Sequence, residues 1–208
     1  MQLFMGITGF MAWHVSKRAH SAIPATPEGR LFGYLEEADR LNAGIFVFQV
    51  WDFFASLFIP EHATPVFLTH HLLAALCAYF SLEYQYAHHY AIFFGGCSEI
   101  SSIFLVVADF DNFFPASHGT SWQGLVTACQ GMFVLTFFYY RIVGWWQESY
   151  RLWSDALIVL GKKSRLRPGK SLLFLYVFLA VDVALGLLQL YWFGFGILPK
   201  LVEIFGGS

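Results

Sequence analysis

The sequence predicts an all-α, polytopic membrane bundle of about six transmembrane helices in a single domain over residues 1–208. Three observations predict it. Hydrophobic residues make up 57% of the chain, aromatic residues 20% and charged residues only 12%, about half the charged share of soluble domains. Six apolar segments approach the roughly 20 residues that a spanning helix needs. Basic residues concentrate in two connections, between helices one and two (Lys17, Arg18, Arg30, Arg40) and between helices five and six (Arg151, Lys162, Lys163, Arg165, Arg167, Lys170). With six spans those two connections share a face, which the positive-inside rule makes cytoplasmic.

The first span runs from Leu3 to Val15. It lacks the basic leader of a signal peptide, since Lys17 and Arg18 follow it, and a signal anchor is the alternative reading. The second covers 41–59, where Asn42, Ile45, Gln49, Asp52 and Ser56 alternate at three and four residues and form one stripe with four polar members. The third, 66–82, opens with the adjacent His70 and His71. The fourth, 86–108, contains GGCSEISS, with Gly95, Glu99 and Ser102 on one face. The fifth, 125–146, holds Arg141 inside VLTFFYYRIVGWW. A basic amphipathic connection follows over 147–170, where Tyr150, Trp153, Leu157 and Leu160 recur at helical spacing and Gly161 ends the run. Its cluster Lys162, Lys163, Arg165 and Arg167 suits anionic headgroups or phosphates, though a topology anchor explains it as well. The sixth span, 171–198, aligns Asp182, Gly186 and Gln189. Pro60, Pro65, Pro115, Pro168 and Pro199 fall between or just beyond the spans, where helices break.

A charge inside a span costs about 2.5–3.5 kcal/mol on insertion scales and so faces the bundle interior. Arg141 therefore calls for a buried partner, Glu99 or Asp52. The plain alternative is polar glue between helices, aided by the small Ala74, Ala78 and Gly95. Polar positions on four helices, including Gln49, Ser98, Ser102 and Asp182, favour one shared cavity.

Neighbouring helical residues point about 100° apart, so His70 and His71 divide their roles. One faces the cavity and the other holds a neighbouring helix. A neutral imidazole there suits general-base work on an amine or hydroxyl nucleophile. The eight histidines include no HxxxH or HxxHH box, and Phe67 stands where the latter would need a histidine. No metal is expected. His88 and His89 read as an interfacial pair, and Cys77, Cys97 and Cys129 as packing residues.

Taken together, FQVWDFF, HHLLAALCAYF, GGCSEISSIF, FFYYRIVGWW and LLQLYWF resemble the TLC-domain family, which includes the ceramide synthases, over roughly residues 10–200. The resemblance carries over His70, His71, Asp52, Glu99 and Arg141 as a polar core. It fails where the synthases show HD and a further aspartate three residues on, because this chain has Ser98, Glu99 and Ser102. That departure points to the smaller TLC-domain proteins, linked to membrane-lipid composition and homeostasis. The expected function is lipid handling in the endoplasmic reticulum or another endomembrane, with membrane lipids as partners, no nucleic acid and no cofactor. One alternative is a sphingoid-base N-acyltransferase using acyl-CoA as co-substrate, with His70 or His71 as base, Glu99 and Asp52 orienting or balancing charge, and the basic loop on the phosphates. Another is a non-catalytic cargo receptor or assembly factor.

Overall fold

In the computed structural model, residues 1–60, 62–113, 119–161 and 172–206 are described, and among them the regular structure is helical throughout. Helix α1 (Gln2–Phe10) is prolonged by a π-helical turn, Met11–Val15. Two short helices, α2 (Arg18–Ser21) and α3 (Pro27–Phe32), cap one end of the bundle before α4 (Glu36–Ser56) and α5 (Pro65–Tyr84). Helix α6 (His88–Ala91) leads through a π-helical and a 3-10 segment (Ile92–Gly96, Cys97–Glu99) into α7 (Ile100–Phe113). Helices α8 (Thr120–Thr136) and α9 (Trp145–Gly161) are joined by π-helical Phe137–Gly144, and α10 (Leu172–Tyr191) and α11 (Leu198–Gly206) by Trp192–Ile197.

The starts follow local chemistry. Thr26 and Thr64 accept the Gly29 and Phe67 amides at 3.0 and 3.3 Å, and prolines occupy the first helical position behind both. A threonine cap fills an amide that would otherwise lack a partner, and proline there loses nothing. Helix α5 ends at Gln85, which adopts the left-handed conformation with φ 51°.

Successive passes are antiparallel, as paired residues show. Asn42 and Gln49 of α4 meet Ser81 and His71 of α5. Trp192, beyond α10, packs on His70 at the start of α5. Along the seam between the α8–α9 rod and α10, Arg141 meets Gln189, Trp145 meets Gly186 and Ser149 meets Asp182. The chain so crosses the bundle six times among the described residues. Both basic connections leave from the end capped by α2 and α3.

Among the described residues, four helical stretches are long and apolar enough to cross a membrane: Pro65–Tyr84, His88–Asp109, Thr120–Gly161 and Leu175–Glu203. The two other passes miss that standard of length and apolarity for evident reasons, although the first covers the expected 3–15. The first is short, and α4 begins five residues before the expected start at 41, taking in Glu36, Glu37, Asp39 and Arg40. The outer surface is apolar, with Val47, Trp51 and Phe58 exposed. That pattern suits lipid as the solvent.

The expected break after 146 is absent. Helix runs on from Thr120 to Gly161, 42 residues, or about 63 Å at 1.5 Å per residue. No proline interrupts it, and its last part packs on α3 and α10. This corrects the picture of a separate amphipathic loop: Tyr150 and Leu157 face outward, while Ser149, Leu152, Asp155 and Ala156 are buried. The basic cluster Lys162, Lys163, Arg165 and Arg167 lies outside the described residues.

Candidate functional site: a polar cavity inside the bundle

Arg141 sits in the π-helical turn Phe137–Gly144 and is buried. Its Nε donates to the Ser98 carbonyl at 3.0 Å and to Ser101 Oγ at 2.9 Å. Nη1 donates to Gln189 Oε1 at 3.3 Å, and Nη2 to Glu99 Oε1 at 2.9 Å and to Ser102 Oγ at 2.8 Å. Between the two acids weighed for this arginine, the fold delivers Glu99. Every guanidinium nitrogen is bonded, as a buried cation requires. Ser102, standing where an acid would be expected by analogy, serves as an acceptor for the cation. Ser98 does so through its carbonyl, and its hydroxyl donates to the Phe94 carbonyl.

The paired histidines part company. His71 is buried, with Nδ1 2.6 Å from Gln49 Oε1 and Nε2 3.3 Å from Asp52 Oδ2. Both contacts reach α4, so both ring nitrogens are held by protein groups. A proton on each nitrogen satisfies this geometry as an ion pair with Asp52, and turning the Gln49 amide satisfies it with a neutral ring. Either way His71 fastens α4 to α5. His70 lines the central cavity, packs edge-on against Trp192 at 4.9 Å, and its buried Nδ1 has no hydrogen-bond partner.

The cavity, about 70 Å³, runs between α4, α5, the α6–α7 pass, the α8–α9 rod and α10. That is room for a few waters or a small polar group, not for a fatty chain. Of the buried side-chain polar atoms without a hydrogen-bond partner among the described residues, four belong to residues lining it: His70 Nδ1, Trp145 Nε1, Asp182 Oδ2 and Gln189 Nε2. Two of these atoms, on Trp145 and Gln189, are donors, one belongs to a carboxyl group and one to an imidazole. Buried polar groups are ordinarily bonded, so four orphans around one hollow mark it as built for something polar.

The chain matches the family model for the TLC domain over residues 4–197. This chain belongs to the TLC-domain family. No curated protein and no solved structure matches it. In this TLC-domain protein the motifs that suggested the family converge: Glu99, Arg141, His70, Gln49 and Ser98 line the cavity, joined by Asp182 from outside those motifs. Asp52 and His71 stand behind it as a brace, and Ser102 supports the arginine.

A second polar cluster in the TLC-domain protein went unread in the sequence. Arg30 grips Asp155 with Nε and Nη2, both at 2.6 Å, and the Tyr90 hydroxyl donates to the same carboxylate. Helical spacing within 147–161 carried the only signal, because Asp155 shares a face with Glu148 and Leu152. His88 and His89, expected at an interface, are instead buried. His89 Nδ1 meets the Ala19 carbonyl at 2.7 Å, and His88 lies between the Leu35 amide and the Ser81 carbonyl. They tie the capping segment to the bundle.

Proposed function

We propose that this membrane protein handles a lipid by seating its polar headgroup in the central cavity, with the acyl chains against the apolar helix surfaces. The observation that carries this reading is the set of unpartnered polar atoms on His70, Trp145, Asp182 and Gln189 around one hollow. A role in membrane-lipid composition or homeostasis, in the endoplasmic reticulum or another endomembrane, goes with it. The unpartnered His70 nitrogen favours one second reading, acyl transfer from acyl-CoA to a sphingoid amine. Asp52 and Glu99, the acids that scheme would use, are already engaged by His71 and Arg141, which weighs against it.

The test is purification in mild detergent followed by mass spectrometry of retained lipid. A defined lipid class in the wild type, lost in His70→Phe and Gln189→Leu, supports the reading. Labelled long-chain acyl-CoA with a sphingoid base decides the rival: N-acylated product from wild type, absent from His70→Ala, would replace lipid handling with catalysis.

A further inference from the structure

The end of the bundle capped by α2 and α3 holds a second, larger hollow of about 390 Å³, which shares no lining residue with the central cavity. That volume falls within the roughly 300–1,000 Å³ of small-molecule sites. Helices α2, α3, α6 and α9 line it, and its chemistry comes from His20 of α2, Arg30 of α3 and Arg151, Ser154 and Asp155 of α9.

The acid of this pocket is already served and its bases are not. Asp155 accepts Arg30 Nε and Nη2, both at 2.6 Å, and the Tyr90 hydroxyl as well. A carboxylate holding three donors has little left for a ligand cation. The guanidiniums are less committed. Among the described residues, Arg30 donates through Nε and Nη2, and Arg151 through Nη1 to Glu148 at 2.6 Å. Each carries five N–H donors, so both keep some for a ligand. Arg151 is also half exposed, and Ser154, three residues on, adds a hydroxyl. The charges that bear on His20 are basic too: burial, then Arg151, His14 and Lys17, lower its pKa. The pocket therefore offers donors in a positive field, and no unpaired acid lines it.

We propose that this pocket is a second ligand site, one that seats a phosphate group between Arg30 and Arg151. Planar guanidiniums match phosphate oxygens in geometry as well as charge, and Ser154 supplies a further donor. The site is independent of the headgroup seat in the central cavity. The phosphate belongs to an interfacial phospholipid or to a soluble phosphate ester, and the surroundings favour the lipid. Tyr150 lines the pocket and is 77% exposed, so the hollow opens on the outer surface of the bundle. Tyrosine is enriched at membrane interfaces, where its ring is amphipathic. Val143, earlier in the same rod, is exposed as well and carries an apolar surface from the pocket toward the middle of the bundle.

The experiment is equilibrium binding of labelled dioctanoyl phosphatidic acid to the full chain in a neutral detergent. Competitors are the unlabelled lipid, dioctanoylglycerol, octanoate and glycerol phosphate. Dioctanoylglycerol lacks the phosphate and its charge-assisted hydrogen bonds, so it is expected to compete about tenfold or more weakly than the unlabelled lipid. Arg151→Gln/Glu148→Gln removes a donor without stranding the buried acid, and is expected to weaken binding by about the same factor. Ser154→Phe fills the hollow and is expected to abolish binding. A photoreactive group beside the phosphate should label α2, α3 or α9 of the wild type, which places the site even where a variant does not fold. Glycerol phosphate competing as well as the lipid assigns the phosphate to a soluble ester; its failure assigns it to a phospholipid. The proposal is overturned if binding does not saturate, or if dioctanoylglycerol or octanoate competes as well as phosphatidic acid. Label confined to other helices, or unchanged affinity in the folded variants, overturns it too.

Discussion

Arg141 organises the interior because a guanidinium, unlike a carboxylate, stays charged under all conditions that proteins meet. It gathers the 3-10 turn, the start of α7 and the end of α10 around one side chain. Replacing it by methionine strands Glu99 as an uncompensated charge, and breaking such a pair costs about 3–5 kcal/mol. Arg141→Met/Glu99→Gln removes both charges, so it is expected to be more stable than Arg141→Met alone. Unfolding midpoints of the four members of that cycle in one detergent check the order; a double variant no better than the single one would mean that Glu99 is not the charge partner. The need for a partner was legible in the sequence, from the cost of charge in hydrocarbon. Which acid it takes was not, because Glu99 and Asp52 lie on different helices and only the helix register brings one of them within reach. The histidines follow the same logic: their divergence by about 100° was calculable, but the sequence held no sign of which ring would meet Gln49.

At the scale of an element, close packing rests on a few backbone contacts. Helix α1 crosses the Ile92–Gly96 turn so closely that a Cβ on Gly9 would lie 2.4 Å from the Gly96 backbone. Nothing flexible can yield there, since the obstacle is main chain. Gly9→Ala is expected to push α1 outward and cost about 1–3 kcal/mol, the range for overpacking, with a lower unfolding midpoint and weaker protection of α1 amides from hydrogen exchange. Gly131→Ala, with open space around it, is the control and should be neutral or slightly stabilising through helix propensity. The apolar segments themselves were legible because twenty uncharged residues leave few other fates. Two features were hidden. The first polar turns of α4 carry charges that hydropathy excludes, yet Asp39 and Arg40 still wind as helix. The inner face of the α9 extension mixes Leu152 and Ala156 with Glu148, Ser149 and Asp155, which Arg151, Asp182 and Arg30 partner. Polar residues that find partners only after folding look beforehand like the solvated face of a separate interfacial helix.

At the scale of the whole molecule, the end capped by α2 and α3 forms a charged layer outside the apolar region. His20 there packs edge-on against Trp13 at 4.3 Å and against His89 at 5.3 Å. Partial burial, then Arg151, His14 and Lys17, lower its pKa from the usual 6.5. The folded state thus binds fewer protons than the unfolded one in the window just below pH 6.5, and stability rises with pH through it. Acidification from pH 7 toward 5 is expected to lower the unfolding midpoint, less so in His20→Gln, and a parallel decline in both would remove His20 from the account. The same layer fixes topology. Arg30 on the first connection grips Asp155 near the start of the second, so both must emerge on one side, as the distribution of basic residues had implied. Single cysteines at Ala25 and Gly161 lie at this end, and one at Ala63 at the other, all exposed. In sealed vesicles, a membrane-impermeant thiol reagent should label Ala25→Cys and Gly161→Cys together and Ala63→Cys only from the opposite face, with the wild-type cysteines as background. Labelling of Ala25→Cys and Gly161→Cys from different faces would require an odd number of crossings between them, which the Arg30–Asp155 contact forbids. The Arg30→Gln/Asp155→Asn variant separates the two causes of that topology: it abolishes the tie and leaves most of the basic residues in place. If its labelling pattern is unchanged, the charge distribution sets the topology, and the ion pair only secures it.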